Sequence, residues 1–339
     1  MEIFLQIVLL VVGFVLLIKG ADWFVDGASG VASHFKVPKT IIGLTIVAFG
    51  TSAPEFAVSI QSLLSGNSEM LLGNVIGSNI LNILLILGIV ALIKPIKVTS
   101  ATVQKELPMT ILITLLLATL ISDRLFNGAL GNNDFTQQDG MVLVLAFLIF
   151  VYYLVRTIRR SNKKQKHVKK GELESTTELP AEMTPMMSLP KSLIFTAIGL
   201  AGIIIGSNFV VENASGLAGA MGISDRIIAM TVIAIGTSLP ELVTSVVAAK
   251  KGETDLAVGN IVGSNIFNMG IVAGLPVAIL GGIPNIAFTV VDVVVMIITA
   301  FLLYFFAKND NQISKWEGFV FLVIFVGYYG YLIATTVGG

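Results

Sequence analysis

Apolar runs of roughly 20 residues recur along almost the whole chain, each long enough to cross a hydrocarbon core about 30 Å thick. Charged or turn-rich breaks between them predict spans near 3–19, 40–64, 70–93, 107–121 and 141–158. Five more are predicted near 192–211, 227–249, 256–280, 286–307 and 317–337. No water reaches the backbone inside a bilayer, so each run must close its own hydrogen bonds as a helix; a barrel would show alternation instead. The expected fold class is therefore an all-α polytopic membrane protein with ten transmembrane helices. Composition agrees, with 55% hydrophobic and 12% charged residues, too few charges for a water-facing surface. The first run starts at Ile3 behind Glu2 with no basic segment before it, and reads as a retained span rather than a cleaved signal.

Basic residues give the chain a direction, because Lys and Arg bias short loops toward the cytoplasm. With ten spans, 19 of the 21 basic residues fall on one side, including Lys19, Lys36, Lys39, Lys94, Lys97, Lys105, Lys250, Lys251, Lys308 and Lys315. Only Arg124 and Arg226 fall on the other. The expected placement is a prokaryotic inner membrane, with both termini outside and the central loop, 161–191, in the cytoplasm. That loop is Lys-rich, then carries Glu, Thr and Pro without apolar periodicity, and reads as a flexible tether. It divides a first five-helix unit, 1–160, from a second, 192–339.

The two units repeat one another. At an offset of 186 residues, Gly20 to Asn82 aligns with Gly206 to Asn268 without a gap, with 24 identities in 63 positions. The block Gly50-Thr51-Ser52-Ala53-Pro54-Glu55 matches Gly236-Thr237-Ser238-Leu239-Pro240-Glu241, and Gly73-Asn74-Val75-Ile76-Gly77-Ser78-Asn79 matches Gly259-Asn260-Ile261-Val262-Gly263-Ser264-Asn265. Shared lipid-facing composition would match Leu and Val, not polar blocks at one register. Five spans per unit is an odd number, so the second copy enters the membrane from the opposite face. Inverted repeats of this kind build secondary transporters whose site lies near the midplane, between the copies.

Glu55 and Glu241 lie deep in the second and seventh spans, where an unpaired carboxylate is costly. No Lys or Arg shares either apolar core, leaving protons or metal cations as counter-charges. Ala48, Thr51, Ser52 and Glu55 occupy positions i, i+3, i+4 and i+7, and Ala234, Thr237, Ser238 and Glu241 repeat them, so each set forms one stripe. Pro54 and Pro240 should loosen the helix four residues earlier, at Gly50 and Gly236, freeing carbonyls. Ser78 with Asn82, and Ser264 with Asn268, add hydroxyl and amide oxygens at i, i+4 spacing, while Gly73, Gly77, Gly259 and Gly263 allow close helix approach. Carboxylate, carbonyl, hydroxyl and amide oxygens suit Ca²⁺ or Na⁺ better than zinc, copper or iron. The chain has no cysteine, and His34 and His167 lie at or beyond span ends, so neither thiolate nor histidine metal chemistry is expected.

The paired GTS-x-PE and GN-x-x-GSN blocks closely resemble the alpha repeats of the cation/calcium exchanger superfamily, especially its prokaryotic sodium/calcium exchangers. The resemblance covers essentially the whole chain, with alpha repeats at about 20–82 and 206–268. It implies an ion-binding core of helices 2, 3, 7 and 8, past which helices 1 and 6 slide to alternate access. Its ligands would be the Ala48 carbonyl, Thr51, Ser52, Glu55, Ser78, Asn82, Ala234, Thr237, Ser238, Glu241 and Ser264. Asn268 stands where studied members carry Asp, which bears on stoichiometry and potassium dependence. Exchange of three Na⁺ for one Ca²⁺, as the resemblance implies, would be electrogenic.

The expected function is antiport of Na⁺ against Ca²⁺. A Ca²⁺/H⁺ antiporter that protonates the same glutamates is the alternative, and a passive cation channel a remoter one. No HExxH motif, serine–base pair or phosphate loop appears, so neither an enzyme nor a cofactor is expected. The expected partners are inorganic cations and the bilayer, with no nucleic acid and a monomeric transport unit. Of the other charges, Asp26 and Glu212 read as helix-end residues, and Asp22, Asp123, Asp134 and Asp139 as exposed. Trp23 and Trp316 read as interfacial anchors.

Overall fold

The computed structural model describes residues 2–66, 68–122, 134–169, 187–221, 234–284, 286 and 290–337. Twelve helices follow one another among them: α1 (Glu2–Phe35), α2 (Lys39–Thr51), α3 (Ala53–Leu64), α4 (Met70–Ile93), α5 (Thr102–Leu120) and α6 (Gln137–Lys169). The second half supplies α7 (Leu189–Ala220), α8 (Ala234–Thr237), α9 (Leu239–Lys250), α10 (Thr254–Leu280), α11 (Val290–Lys308) and α12 (Lys315–Val337). Eight are long and apolar enough to cross a membrane, or nine when α2 and α3, bent by 45° at their junction, count as one span. The expected seventh span begins with residues outside the described set, and its described part is α8 with α9. Asp123, Arg124 and Arg226 also lie outside the described residues.

Two boundaries correct the hydropathy reading. The first helix runs to Phe35 rather than ending near Lys19, and the sixth runs to Ala220. Lys19, Asp22 and Asp26 break the apolar run without breaking the helix, because α1 and α7 pack on each other along their lengths. Glycines make that contact backbone to backbone: a Cβ on Gly20 would lie 2.7 Å from Ile203 N, and one on Gly206 would lie 2.7 Å from Gly13 O. Gly13, Leu17 and Gly20 meet Gly199, Ile203 and Gly206, each pair of positions again 186 apart. Trp23 is thus inside a long helix rather than at its end, edge-on to Phe195. In the central loop, Ser161 to Lys169 continue helix α6; residues 170–186 are outside the described set.

The centre of the molecule is α4 and α10, the most buried of the long helices, with Val75, Ile80, Leu84, Ile261, Val262 and Ile266 fully enclosed. Gly43 of α2 meets Gly259 of α10, and one turn on the helices are still so close that a Cβ on Gly263 would sit 2.7 Å from Leu44 Cα. For Gly73 and Gly77 no such neighbour lies within 4 Å among the described residues. Both central helices widen into π-helical turns, Asn82–Leu87 and Asn268–Ala273, at repeat-related positions, a distortion frequent at functional sites.

Short extended segments close the ends. Strand β1 (Ile96–Lys97), after α4, pairs antiparallel with β2 (Gln312–Ile313), before α12. A single bridge joins Ile283, after α10, to Phe135, before α6. Capping boxes then start α6 and α12: Asp139 accepts from Thr136 N at 2.8 Å, and Glu317 from Ser314 N at 2.7 Å. Asp139, read as exposed, is therefore half-buried and engaged.

Candidate cation site

Both glutamates stand just after a break in a helix. Ser52 and Ser238 leave the helical conformation, at φ/ψ of −84°/8° and −91°/7°, and α3 and α9 restart behind them with Pro54 and Pro240 in the first turn. The interruption falls at these serines, two residues beyond the glycines where proline was expected to loosen the helix. On the second copy the carbonyl that Pro240 frees, Gly236 O, accepts the Ser207 hydroxyl of α7 at 3.0 Å. Glu55 and Glu241 sit in the restarted first turns, where unpaired backbone N–H groups favour a negative side chain. They are 1% and 0% exposed.

The hydrogen bonds cross between the repeats. Ser52 donates to Glu241 Oε1 at 2.8 Å, and its repeat mate Ser238 donates to Glu55 Oε1 at 3.3 Å. Ser264 adds a second donor to Glu241 Oε1, also at 3.3 Å. A hydrogen bond to a charged group contributes about 1.5–3 kcal/mol, so each crossed pair helps fix both breaks at one point.

The other candidates lie as follows. Thr51 donates to Asn260 Oδ1 at 3.1 Å, and the Ala48 carbonyl accepts Ser52 N at 3.0 Å. Asn82 donates to Asn265 Oδ1 at 2.9 Å, Ser78 is buried on α4, and Asn268 is fully buried at the start of its π-turn. Thr237 is half-buried at the end of α8, and Ala234 begins that helix.

Asn74 and Asn260, one per repeat, escaped the sequence reading. Asn74 donates to Ser59 Oγ at 3.3 Å and to the Glu55 carbonyl, and Asn260 donates to Ser245 Oγ at 3.1 Å. Asn265 also reaches across, donating to Asn79 O at 3.3 Å. These residues lie inside the matched polar blocks; identity across the repeat at a buried helical position was the available signal.

Several enclosed oxygens meet no donor among the described residues: Glu55 Oε2, Glu241 Oε2, Asn82 Oδ1, Asn79 Oδ1 and Asn268 Oδ1. A buried carboxylate or amide oxygen left without a donor is costly, and a hard cation satisfies it.

Residues 5–156 and 191–334 match the sodium/calcium exchanger protein family. The putative antiporter CaxA of Alkalimonas amylolytica is 38% identical over 95% of this chain and 96% of its own. The sodium/calcium exchanger MaX1 of Methanosarcina acetivorans is 30% identical over 94% of this chain and 96% of its own. The solved sodium-calcium exchanger NCX_Mj, soaked with zero Na⁺ and Ca²⁺, superposes with a TM-score of 0.77 at 32% identity, covering 98% of this chain and 99% of that one. The chain belongs to the sodium/calcium exchanger family, and is a multi-pass membrane antiporter of cations rather than an enzyme.

Proposed function

We propose that this antiporter exchanges Na⁺ for Ca²⁺ by alternating access, with Glu55 and Glu241 holding the transported ion between two inverted five-helix repeats. The observation that carries the reading is the pair of buried carboxylates, joined by crossed serine hydrogen bonds and each keeping one oxygen without a donor. Two glutamates match one Ca²⁺ in charge, and Na⁺ ions competing for the same carboxylate, hydroxyl and amide oxygens convert binding into exchange. The site residues are those of the two stripes, Ala48, Thr51, Ser52 and Glu55 with Ala234, Thr237, Ser238 and Glu241, together with Ser78, Asn82, Ser264 and Asn268. The lysine-rich face is cytoplasmic in this reading, the seventh span is completed by residues before α8, and one chain is the transport unit. The name of the relative MaX1 and the Na⁺ and Sr²⁺ soaks of NCX_Mj support the ion class.

Reconstituted proteoliposomes test it. An outward Na⁺ gradient should drive radiolabelled Ca²⁺ inward with no pH difference across the membrane. Uptake that follows only a pH gradient would replace Na⁺ by H⁺ as the coupling ion, and release indifferent to any counter-ion would make the protein a channel.

A further inference from the structure

At the lysine-rich end of the molecule one ammonium joins two bodies. Lys251 follows α9 directly, and its Nζ lies 2.6 Å from Asp26 Oδ1, 2.8 Å from the Asp22 carbonyl and 3.5 Å from Asp22 Oδ1. Asp22 and Asp26 are one turn apart on the same face of α1. Neither behaves as the sequence reading expected, since Asp26 is well inside the helix and Asp22 is half-buried. The nearby Lys39–Glu253 pair, at 2.5 Å, is different in kind: it joins the start of α2 to the turn before α10, both on the side of the glutamates. Lys251 alone among the described ion pairs ties α1 to that side.

The repeat shows that this tie has no mirror image. At the offset of 186, Lys251 corresponds to Ser65, Asp22 to Asn208 and Asp26 to Glu212. Ser65 turns its hydroxyl back to Ser62 O at 3.1 Å, Glu212 is exposed, and no ion pair joins α7 to α3 among the described residues. Helices α1 and α9 also pack on each other, and Ala28, Val31 and Ala32 of α1 share one buried apolar cluster with Val247 and Ala248 of α9. Such surfaces can shift along one another and remake equivalent contacts, whereas a charge-assisted hydrogen bond at 2.6 Å is lost by a small displacement.

We propose that Lys251, gripped by Asp22 and Asp26, is a one-sided latch that biases the exchanger toward the arrangement closed at its lysine-rich face. This rests on the alternating-access reading, in which α1 and α7 move together against the remaining helices. The latch is half-exposed, so it sets a bias without locking the cycle. Its removal should change the ratio of the two arrangements by about fivefold, the upper end for a partly exposed ion pair.

The chain lacks cysteine, so an introduced thiol reports cleanly. Ala248 is fully buried on α9, which packs against α1, and Ala248→Cys in inside-out vesicles supplies a site reached by a membrane-impermeant maleimide only when that face opens. Adding Lys251→Gln to this carrier should raise its labelling rate about fivefold, while Lys251→Arg should keep it slow. The charge swap Lys251→Asp with Asp26→Lys should restore slow labelling, which a merely structural role for the lysine would not do. Equal rates with and without Lys251→Gln, or a swap as fast as the single variant, would overturn the latch. Counter-ion dependence of Ca²⁺ flux, measured on the carrier itself, separates that outcome from failure of the exchange reading: a carrier that exchanges normally but labels unchanged defeats the latch alone.

Discussion

Glu241 accepts two serine hydroxyls and Glu55 one, so the paired acids are not equivalent despite the matching GTS-x-PE blocks that carry them. In the proposed site, neutralising either one leaves a single charge to hold a divalent ion. Glu55→Gln and Glu241→Gln should each weaken Ca²⁺ binding by about 3 kcal/mol, or about 100-fold. Both variants should still extract as folded monodisperse protein, because the isosteric amide keeps the packing; wild-type exchange in both would remove the glutamates from the site. The serines separate the two acids further. Ser52→Ala takes a 2.8 Å donor from Glu241 and should raise the Ca²⁺ concentration for half-maximal uptake about tenfold, more than Ser238→Ala, whose bond is 3.3 Å.

At the scale of the element, glycine determines where helices touch. Gly263 has Leu44 Cα and Ala48 Cβ at 2.7 Å and 2.8 Å from the place a Cβ would take. Gly263→Ala should therefore destabilise the α2–α10 crossing by about 1–3 kcal/mol, read as a lower midpoint in a thermal unfolding scan in detergent. A midpoint at or above wild type would mean that the crossing relaxes freely. Hydropathy located the third span, 70–93, within two residues of the start of its helix, which begins at Ser68, and at its end, because that run is unbroken by charge. It lost the second half of α1, where Lys19, Asp22 and Asp26 are carried by glycine contacts with α7 and by Lys251, neither visible in a window average. Proline revealed that the second and seventh spans were interrupted, but the position of the break depends on Ser52 and Ser238 engaging the opposite repeat's glutamate, a long-range contact.

Another long-range pattern was equally hidden. Glu106 of α5 accepts the Tyr153 hydroxyl of α6, and Asp292 of α11 accepts that of Tyr328 of α12 at 2.7 Å. The acids are 186 residues apart, so the repeat extends beyond Asn82, although apolar divergence conceals it there. Each pair ties the last two helices of its half together.

For the whole molecule, the order of spans predicts which loops share a face. Lys97→Cys, after α4, should react with an impermeant thiol reagent from one side of the membrane only, and Met221→Cys, at the exposed end of α7, only from the other. Reaction of both from the same side would break the ten-span topology. The ends of the molecule also show which parts can travel together. The β1–β2 ladder and the Phe135–Ile283 bridge sew the turn after each central helix to the approach of an outer helix from the other half, while among the described residues no strand pairing involves the ends of α1 or α7. On the alternating-access reading the seamed helices form a rigid frame and α1 and α7 two loose staves: thiols placed across either seam should crosslink at one rate throughout the transport cycle, whereas thiols between a stave and the frame should crosslink in step with the ion supplied.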